Sequence, residues 1–180
     1  MDVTARARGV KMVLMDVDGT LTDGGIFILP ESGEEVRAYN VRDGQGMMLA
    51  KAAGLKTGII TGKTSKSVAI RAERLMMDEI HQGVLDKKRV LDDILRRHAL
   101  LPEEAAYVGD DLGDLDVMRC VGLAAAVADA HPLVRQYAHL VCTLPGGRGA
   151  VREVIEFILE AKGLGPDLEA LQKDRSRWKK

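Results

Sequence analysis

Short apolar runs alternate with amphipathic segments along the chain. Val10 to Val17 (VKMVLMDV) has the near-continuous apolar character of a strand buried on both faces. Gly25 to Leu29 and Glu35 to Tyr39 flank Pro30-Glu31-Ser32-Gly33, a turn sequence, and together predict a β-hairpin. Gln45 to Ala53 is rich in Met and Ala and stops at Gly54, which predicts a helix with a glycine end. Leu55 to Thr61 reads as a second buried strand. Ser65 to Leu75 reads as a helix with Ser65 placed to cap it.

Further along, Glu79 to Gln82 predicts a short strand. Lys87 to His98 predicts a helix carrying Val90, Leu91, Ile94 and Leu95 on one face. Ala105 to Gly109 is a third apolar run, and Leu123 to Ala128 and His139 to Thr143 are shorter ones. Asp114 to Val121 and Pro132 to Ala138 are helix candidates between them. Gly149 to Lys162 predicts a longer amphipathic helix. Strand, helix, strand, helix throughout predicts a Rossmann-like, three-layer α/β sandwich around a mostly parallel sheet, with the hairpin protruding. Residues 1–162 read as a single domain. Residues 163–180 are polar and charged, either a loose tail or a docking segment.

Composition narrows the choice of partner. Twenty-six basic residues balance 27 acidic ones, which argues against a nucleic-acid binder. Aromatic residues are 3% of the chain, too few for base-stacking platforms. Cys120 and Cys142 form no CxxC, so neither a disulfide framework nor a zinc site is expected. No apolar run reaches signal-peptide or membrane-span length. A soluble, cytoplasmic protein without a membrane partner is therefore expected.

The candidate chemistry gathers where apolar runs end. DVDGTLTDG, Asp16 to Gly24, brings Asp16 and Asp18 to the end of a buried strand, the edge where open α/β sheets bind ligands. Two close carboxylates need a cation or a shared proton, so this is read as a Mg²⁺ site with one aspartate free to act as nucleophile. A solvated turn after a strand is the plainer alternative. VGDDLGDLDVM, Val108 to Met118, crowds Asp110, Asp111 and Asp114 after the third run. One carboxylate satisfies a helix cap; three within five positions exceed that need and fit a hard cation. ITGKTS, Ile60 to Ser65, puts Thr61 and Lys63 at a strand-to-helix turn suited to an anion. It is not a P-loop, because Gly58 and Gly62 have three residues between them where four are needed. Lys87 opens a helix, the wrong end for a cation in the helix dipole, and a phosphate would explain it.

The order Asp-x-Asp, Thr, Lys, Gly-Asp-Asp resembles the haloacid dehalogenase superfamily of phosphotransferases over residues 11 to about 162. The resemblance implies Asp16 as nucleophile, Asp18 as acid/base, and Thr61 and Lys87 as phosphoryl ligands. It implies a metal site of Asp16, the Asp18 carbonyl and Asp110, supported by Asp111 and Asp114. YNVRDGQG (Tyr39 to Gly46), VADAHP (Val127 to Pro132) and GGRGAVRE (Gly146 to Glu153) are similar to the 3-deoxy-D-manno-octulosonate 8-phosphate (Kdo 8-phosphate) phosphatase family. That family is cap-less, usually tetrameric, and makes free Kdo for lipopolysaccharide.

Asp23 to Thr61 leaves no room for a lid domain, in agreement. The implied substrate is a phosphorylated sugar acid, with Asn40, Val41, Arg42, Asp43, Gly44, Lys63 and Arg71 as candidate contacts. The chain departs from some family members, which have arginine where it has Met48 and Lys63. That keeps open a sialate-type 9-phosphate phosphatase. A receiver-like domain that accepts phosphate without turnover is the non-enzyme alternative, and Asp18 argues against it. The apolar run Ile26 to Leu29 on the hairpin suggests an interface with another subunit. GGRG is either a sharp turn or a set of N–H donors for a neighbour's substrate.

Overall fold

In the computed structural model of the chain, which describes residues 2–173, the elements follow the expected alternation. Helix α1 (Val3–Gly9) precedes strand β1 (Met12–Met15), and the hairpin strands β2 (Phe27–Ile28) and β3 (Glu35–Val36) follow. Then come α2 (Val41–Ala52), β4 (Lys56–Ile60), α3 (Lys66–Arg74), β5 (Glu79–His81) and α4 (Lys87–His98). The second half adds β6 (Ala105–Gly109), α5 (Leu115–Met118), β7 (Leu123–Ala126), α6 (Pro132–Tyr137), β8 (Leu140–Val141), α7 (Ala150–Ala161) and α8 (Leu168–Lys173).

Six strands form one sheet in the order β5-β4-β1-β6-β7-β8, with parallel pairing throughout. Strands β1, β6 and β7 are buried at every position, which is why they read as unbroken apolar runs. Helices α1, α2, α7 and α8 pack together, and α4, α5 and α6 form another packed group. The chain leaves β1 toward β4 on one side and returns to β6 on the other. That reversal opens a crevice at the carboxyl end of β1.

Three local readings change. Helix α1 has no strong apolar periodicity and was not expected; it is held by Ala7 in the core and by Arg6 and Arg8 donating to the carbonyls of Gly122 and Ala161. Helix α2 starts at Val41, four residues before the expected Gln45. The Asn40 side chain caps it by accepting from the Arg42 N–H, and this supplies a start that the glycines at 44 and 46 conceal. Ser65 precedes α3 without capping it: its hydroxyl turns to the Glu35 carbonyl and to Ser67. Residues 163–173 form a 3-10 turn (Gly165–Asp167) and α8, with Leu164, Leu168 and Leu171 packed on the core. The basic end around Trp178 lies outside the described residues.

Gly46 sits where α2 crosses α7. An added Cβ would lie 2.8 Å from the Arg152 Cα, closer than side chains approach backbone. Replacing a helical glycine by alanine normally gains about 1 kcal/mol of propensity. Here the clash moves two helices apart, and overpacking of that kind costs about 1–3 kcal/mol. Gly46→Ala is therefore expected to lower the urea midpoint. An unchanged or raised midpoint would show that α2 and α7 are not this close.

Candidate active site

The carboxyl ends of β4, β1 and β6 lie side by side and deliver Thr61, Asp16 and Asp110 to one edge. Asp16 follows β1 directly, and its N–H is tied to the Val108 carbonyl of β6. Asp114 comes from the 3-10 turn Leu112–Asp114 after β6. Lys87 enters from the first turn of α4, whose N-terminus is capped by Asp86. Its Nζ donates to Asp16 Oδ1 and to Asp114 Oδ1, both at 2.8 Å. A lysine in the first turn of a helix, unfavourable in the helix dipole, is thus explained by two carboxylates.

Asp114 is buried and its oxygens are fully engaged. Oδ1 takes Lys87 and the Tyr107 hydroxyl (2.8 Å), and Oδ2 takes the N–H groups of Asp110 and Asp111. Asp16 and Asp110 differ. Asp110 Oδ1 accepts from the Thr20 hydroxyl and Asp16 Oδ1 from Lys87, and the second oxygen of each has no side-chain donor among the described residues. Oxygens of Asp16, Asp110 and Asp114 lie within 4.8 Å of one another. This donor set fits a hard divalent cation, with Asp16 and Asp110 offering open oxygens and Asp114 orienting the loop and the lysine. Gly19 makes room for it, since a Cβ there would fall 2.1 Å from Asp110 Oδ2.

The electrostatics agree. Burial, then the Asp114 charge, pushes Asp16 up to about 6 against the pull of Lys87. Burial raises Asp110 to about 7, with Asp114 and Asp16 adding to it and Thr20 opposing. Burial works against the Lys87 charge, but Asp114 and Asp16 outweigh it and hold its pKa above the ordinary value. Burial and Asp114 push the Tyr107 phenol well above its ordinary value, so it stays a donor.

The other expected residues divide. Thr61 is buried at the end of β4, and its hydroxyl accepts from the Lys63 N–H at 3.5 Å. Asp18 is half-buried beside Arg37. Asp111 turns away: its exposed carboxylate caps the Leu112 N–H, as a plain helix cap does. Asp43 is buried and accepts from the N–H groups of Gly149 and Arg152, so it holds the start of α7. Asn40 donates to the Gly147 carbonyl. Gly44 lies under Arg71, whose guanidinium stacks 5.6 Å from the Tyr39 ring centroid and donates to the Asn40 carbonyl. Val41, Arg42 and Lys63 are exposed. Arg42 lines a groove of about 590 Å³ along α7.

In the GGRG run, the N–H groups of Gly146, Gly147 and Gly149 are taken by Asp129, Thr20 and Asp43. The run is a tight turn, with Gly147 and Gly149 at positive φ, and these three donors are committed within the chain.

Sequence reasoning missed Tyr107, Thr20 and Arg37. Tyr107 carried a signal, a lone phenol in the run AAYVG that needs a buried partner. Arg37 carried none, because its contacts are set by where the hairpin lands.

A βαβ sheet with acidic loops at its switch point and an inserted lysine defines a class of hydrolase. The chain belongs to the haloacid dehalogenase-like hydrolases, whose family model matches residues 58–155. It is 46% identical over 162 residues to the 3-deoxy-D-manno-octulosonate 8-phosphate phosphatase of Escherichia coli K12, covering 90% of this chain and 86% of that one. The crystal structure of the corresponding Yersinia pestis phosphatase superposes with a TM-score of 0.89 at 43% identity, covering 92% and 89% of the two chains. That of the Moraxella catarrhalis phosphatase, in complex with magnesium ion, phosphate ion and KDO, superposes with a TM-score of 0.90 at 37% identity, covering 93% and 96%.

The acidic cluster has a consequence for pH. Above about pH 4, where the unfolded chain has lost these protons, the folded, metal-free protein keeps that of Asp16 up to about pH 6 and that of Asp110 up to about pH 7. Raised carboxyl pKa values therefore make metal-free stability fall as pH rises through that window. A bound cation displaces the protons, so its stabilisation grows with pH. Thermal melts of chelator-treated protein with and without Mg²⁺, from about pH 5 to about pH 8, should show the Mg²⁺ gain increasing. Asp110→Asn should remove most of it. A gain that is constant with pH and survives Asp110→Asn would contradict the site.

Proposed function

We propose that the chain is a Mg²⁺-dependent phosphomonoesterase that hydrolyses Kdo 8-phosphate to Kdo and phosphate, a step in lipopolysaccharide precursor synthesis. The observation that carries the phosphatase reading is Asp16: a buried carboxylate at the sheet's switch point, held by Lys87 at 2.8 Å and flanked by Asp110. The relatives named above support the choice of sugar.

In this reading Asp16 attacks phosphorus, and the bond from phosphorus to the sugar oxygen breaks as an aspartyl-phosphate forms on Asp16. Asp18 gives its proton to the departing sugar oxygen. Water then attacks the aspartyl-phosphate and gives a proton back to Asp18, and the Asp16–phosphate bond breaks to release phosphate. The Lys87 ammonium and the Thr61 hydroxyl hold phosphoryl oxygens through both steps. Mg²⁺, held by Asp16, the Asp18 carbonyl and Asp110 with Asp114 behind, supplies charge neutralisation at the phosphoryl group. Arg42, Lys63 and Arg71 supply positive charge for a sugar-acid carboxylate. Asn40, Val41, Asp43 and Gly44 shape that side of the site through the start of α2.

The site lies at an open sheet edge, and phosphoryl transfer gains from excluding water. Ile26, Phe27, Ile28 and Leu29 on the hairpin are 40–65% exposed. A homotetramer in which a neighbouring subunit covers that apolar surface supplies the missing enclosure. Among the described residues no helix is long and apolar enough to cross a membrane. We place the enzyme in the cytoplasm, where a phosphorylated sugar precursor is made.

Phosphate release measured side by side on Kdo 8-phosphate and on a sialate-type 9-phosphate tests this. A kcat/KM at least tenfold higher on Kdo 8-phosphate, about 1.4 kcal/mol of discrimination, is expected. The reverse preference would assign the chain to the nine-carbon substrate. Asp16→Asn should abolish turnover of both while keeping the melting temperature, and residual wild-type turnover would overturn the mechanism.

A further inference from the structure

Arg37 is the one arginine among the described residues whose side chain is wholly buried in an ion pair. It follows β3 on the returning arm of the hairpin. Its Nε donates to Asp18 Oδ1 at 2.5 Å and its Nη2 to Asp18 Oδ2 at 3.2 Å, a two-point fork on one carboxylate. Nη2 also donates to Glu35 Oε2 at 2.9 Å, which anchors the guanidinium from the hairpin side. Both oxygens of Asp18 therefore face Arg37, across 19 residues of chain.

The fork leaves one guanidinium nitrogen over. Here Nη1 is buried without a partner among the described residues. A lone aspartate on a loop rotates among several staggered wells, and the fork selects one of them. The same contact ties the hairpin to the loop that carries Asp18.

We propose that Arg37 is a positioning residue of the reaction: held by Glu35, it sets the orientation from which Asp18 serves the leaving oxygen. This rests on the reading of Asp18 as acid/base. Misplacing a catalytic group by about 1 Å can cost on the order of 10²-fold. The loss should appear in kcat and depend on the leaving group, because a good leaving group needs little protonation.

The test compares Arg37→Met, Arg37→Lys, Asp18→Asn and the Arg37→Met/Asp18→Asn double variant on Kdo 8-phosphate and on p-nitrophenyl phosphate. Arg37→Met should lower kcat on the sugar phosphate roughly 10- to 100-fold, with KM nearly unchanged and a smaller loss on p-nitrophenyl phosphate. Arg37→Lys keeps the charge without the fork and should give the same substrate-dependent pattern at smaller amplitude, which carries the test if Arg37→Met fails to fold. Because the two residues act as a unit, the double variant should be no slower than Asp18→Asn. Additive losses, an equal loss on both substrates, or a rise in KM alone would overturn the proposal. Wild-type-like kinetics in both Arg37 variants, with Asp16→Asn inactive, would refute Arg37 and leave the phosphatase reading intact. Turnover that survives Asp16→Asn would refute that reading itself.

Discussion

Three carboxylates share one sheet edge, and the arrangement around them follows from the cost of keeping them there. Two full like charges about 5 Å apart repel by about 3 kcal/mol at an effective dielectric of 20. Lys87 supplies one compensating charge and binds two of the three. Tyr107 and two backbone N–H groups absorb the remaining capacity of Asp114, and Thr20 takes one oxygen of Asp110. What stays only partly compensated is the pair Asp16 and Asp110, each with one oxygen engaged and pKa values pushed to about 6 and about 7. That residual strain is the driving force for a divalent cation.

The surrounding scaffold is rigid where this balance needs it. Fully buried strands β1 and β6 fix the two loop origins, and the Asp16 N–H is bonded across to β6. Helix α4 carries Lys87 in at its first turn, and its far end is held by Arg97 and His98 on the buried Glu79. The Glu79 carboxyl is lowered by these partners and by His81 despite burial. The helix that delivers the lysine is therefore pinned at both ends.

The region beside the carboxyl edge of the sheet divides between support and exposure. Asp43 and Asn40 brace the turn that starts α7, and Arg71 packs over Tyr39 and Gly44. Arg42 and Lys63 face solvent. A motif that reads as one binding segment thus contains groups that hold the site together and groups free to meet a ligand. The returning arm of the apolar hairpin reaches Asp18 through Arg37.

Much of this was legible along the chain. Apolar runs marked the buried strands because parallel strands covered on both faces need no polar alternation. The acidic, threonine and lysine signals stood at run ends because that is where a parallel sheet opens to ligands. The start of α2 was not legible, since two glycines weaken its local signal and Asn40 decides it. Nor were the separate fates of Asp110, Asp111 and Asp114: adjacent residues of one type differ only in what surrounds them. Sequence alone determined the fold class and the residue types that converge on one edge, because periodicity and strand ends are local properties. Only the tertiary structure decided that Lys87 bridges Asp16 and Asp114 and that Arg37 holds Asp18. Those pairings join residues up to 71 positions apart, and their geometry exists only once the sheet and hairpin have closed around them.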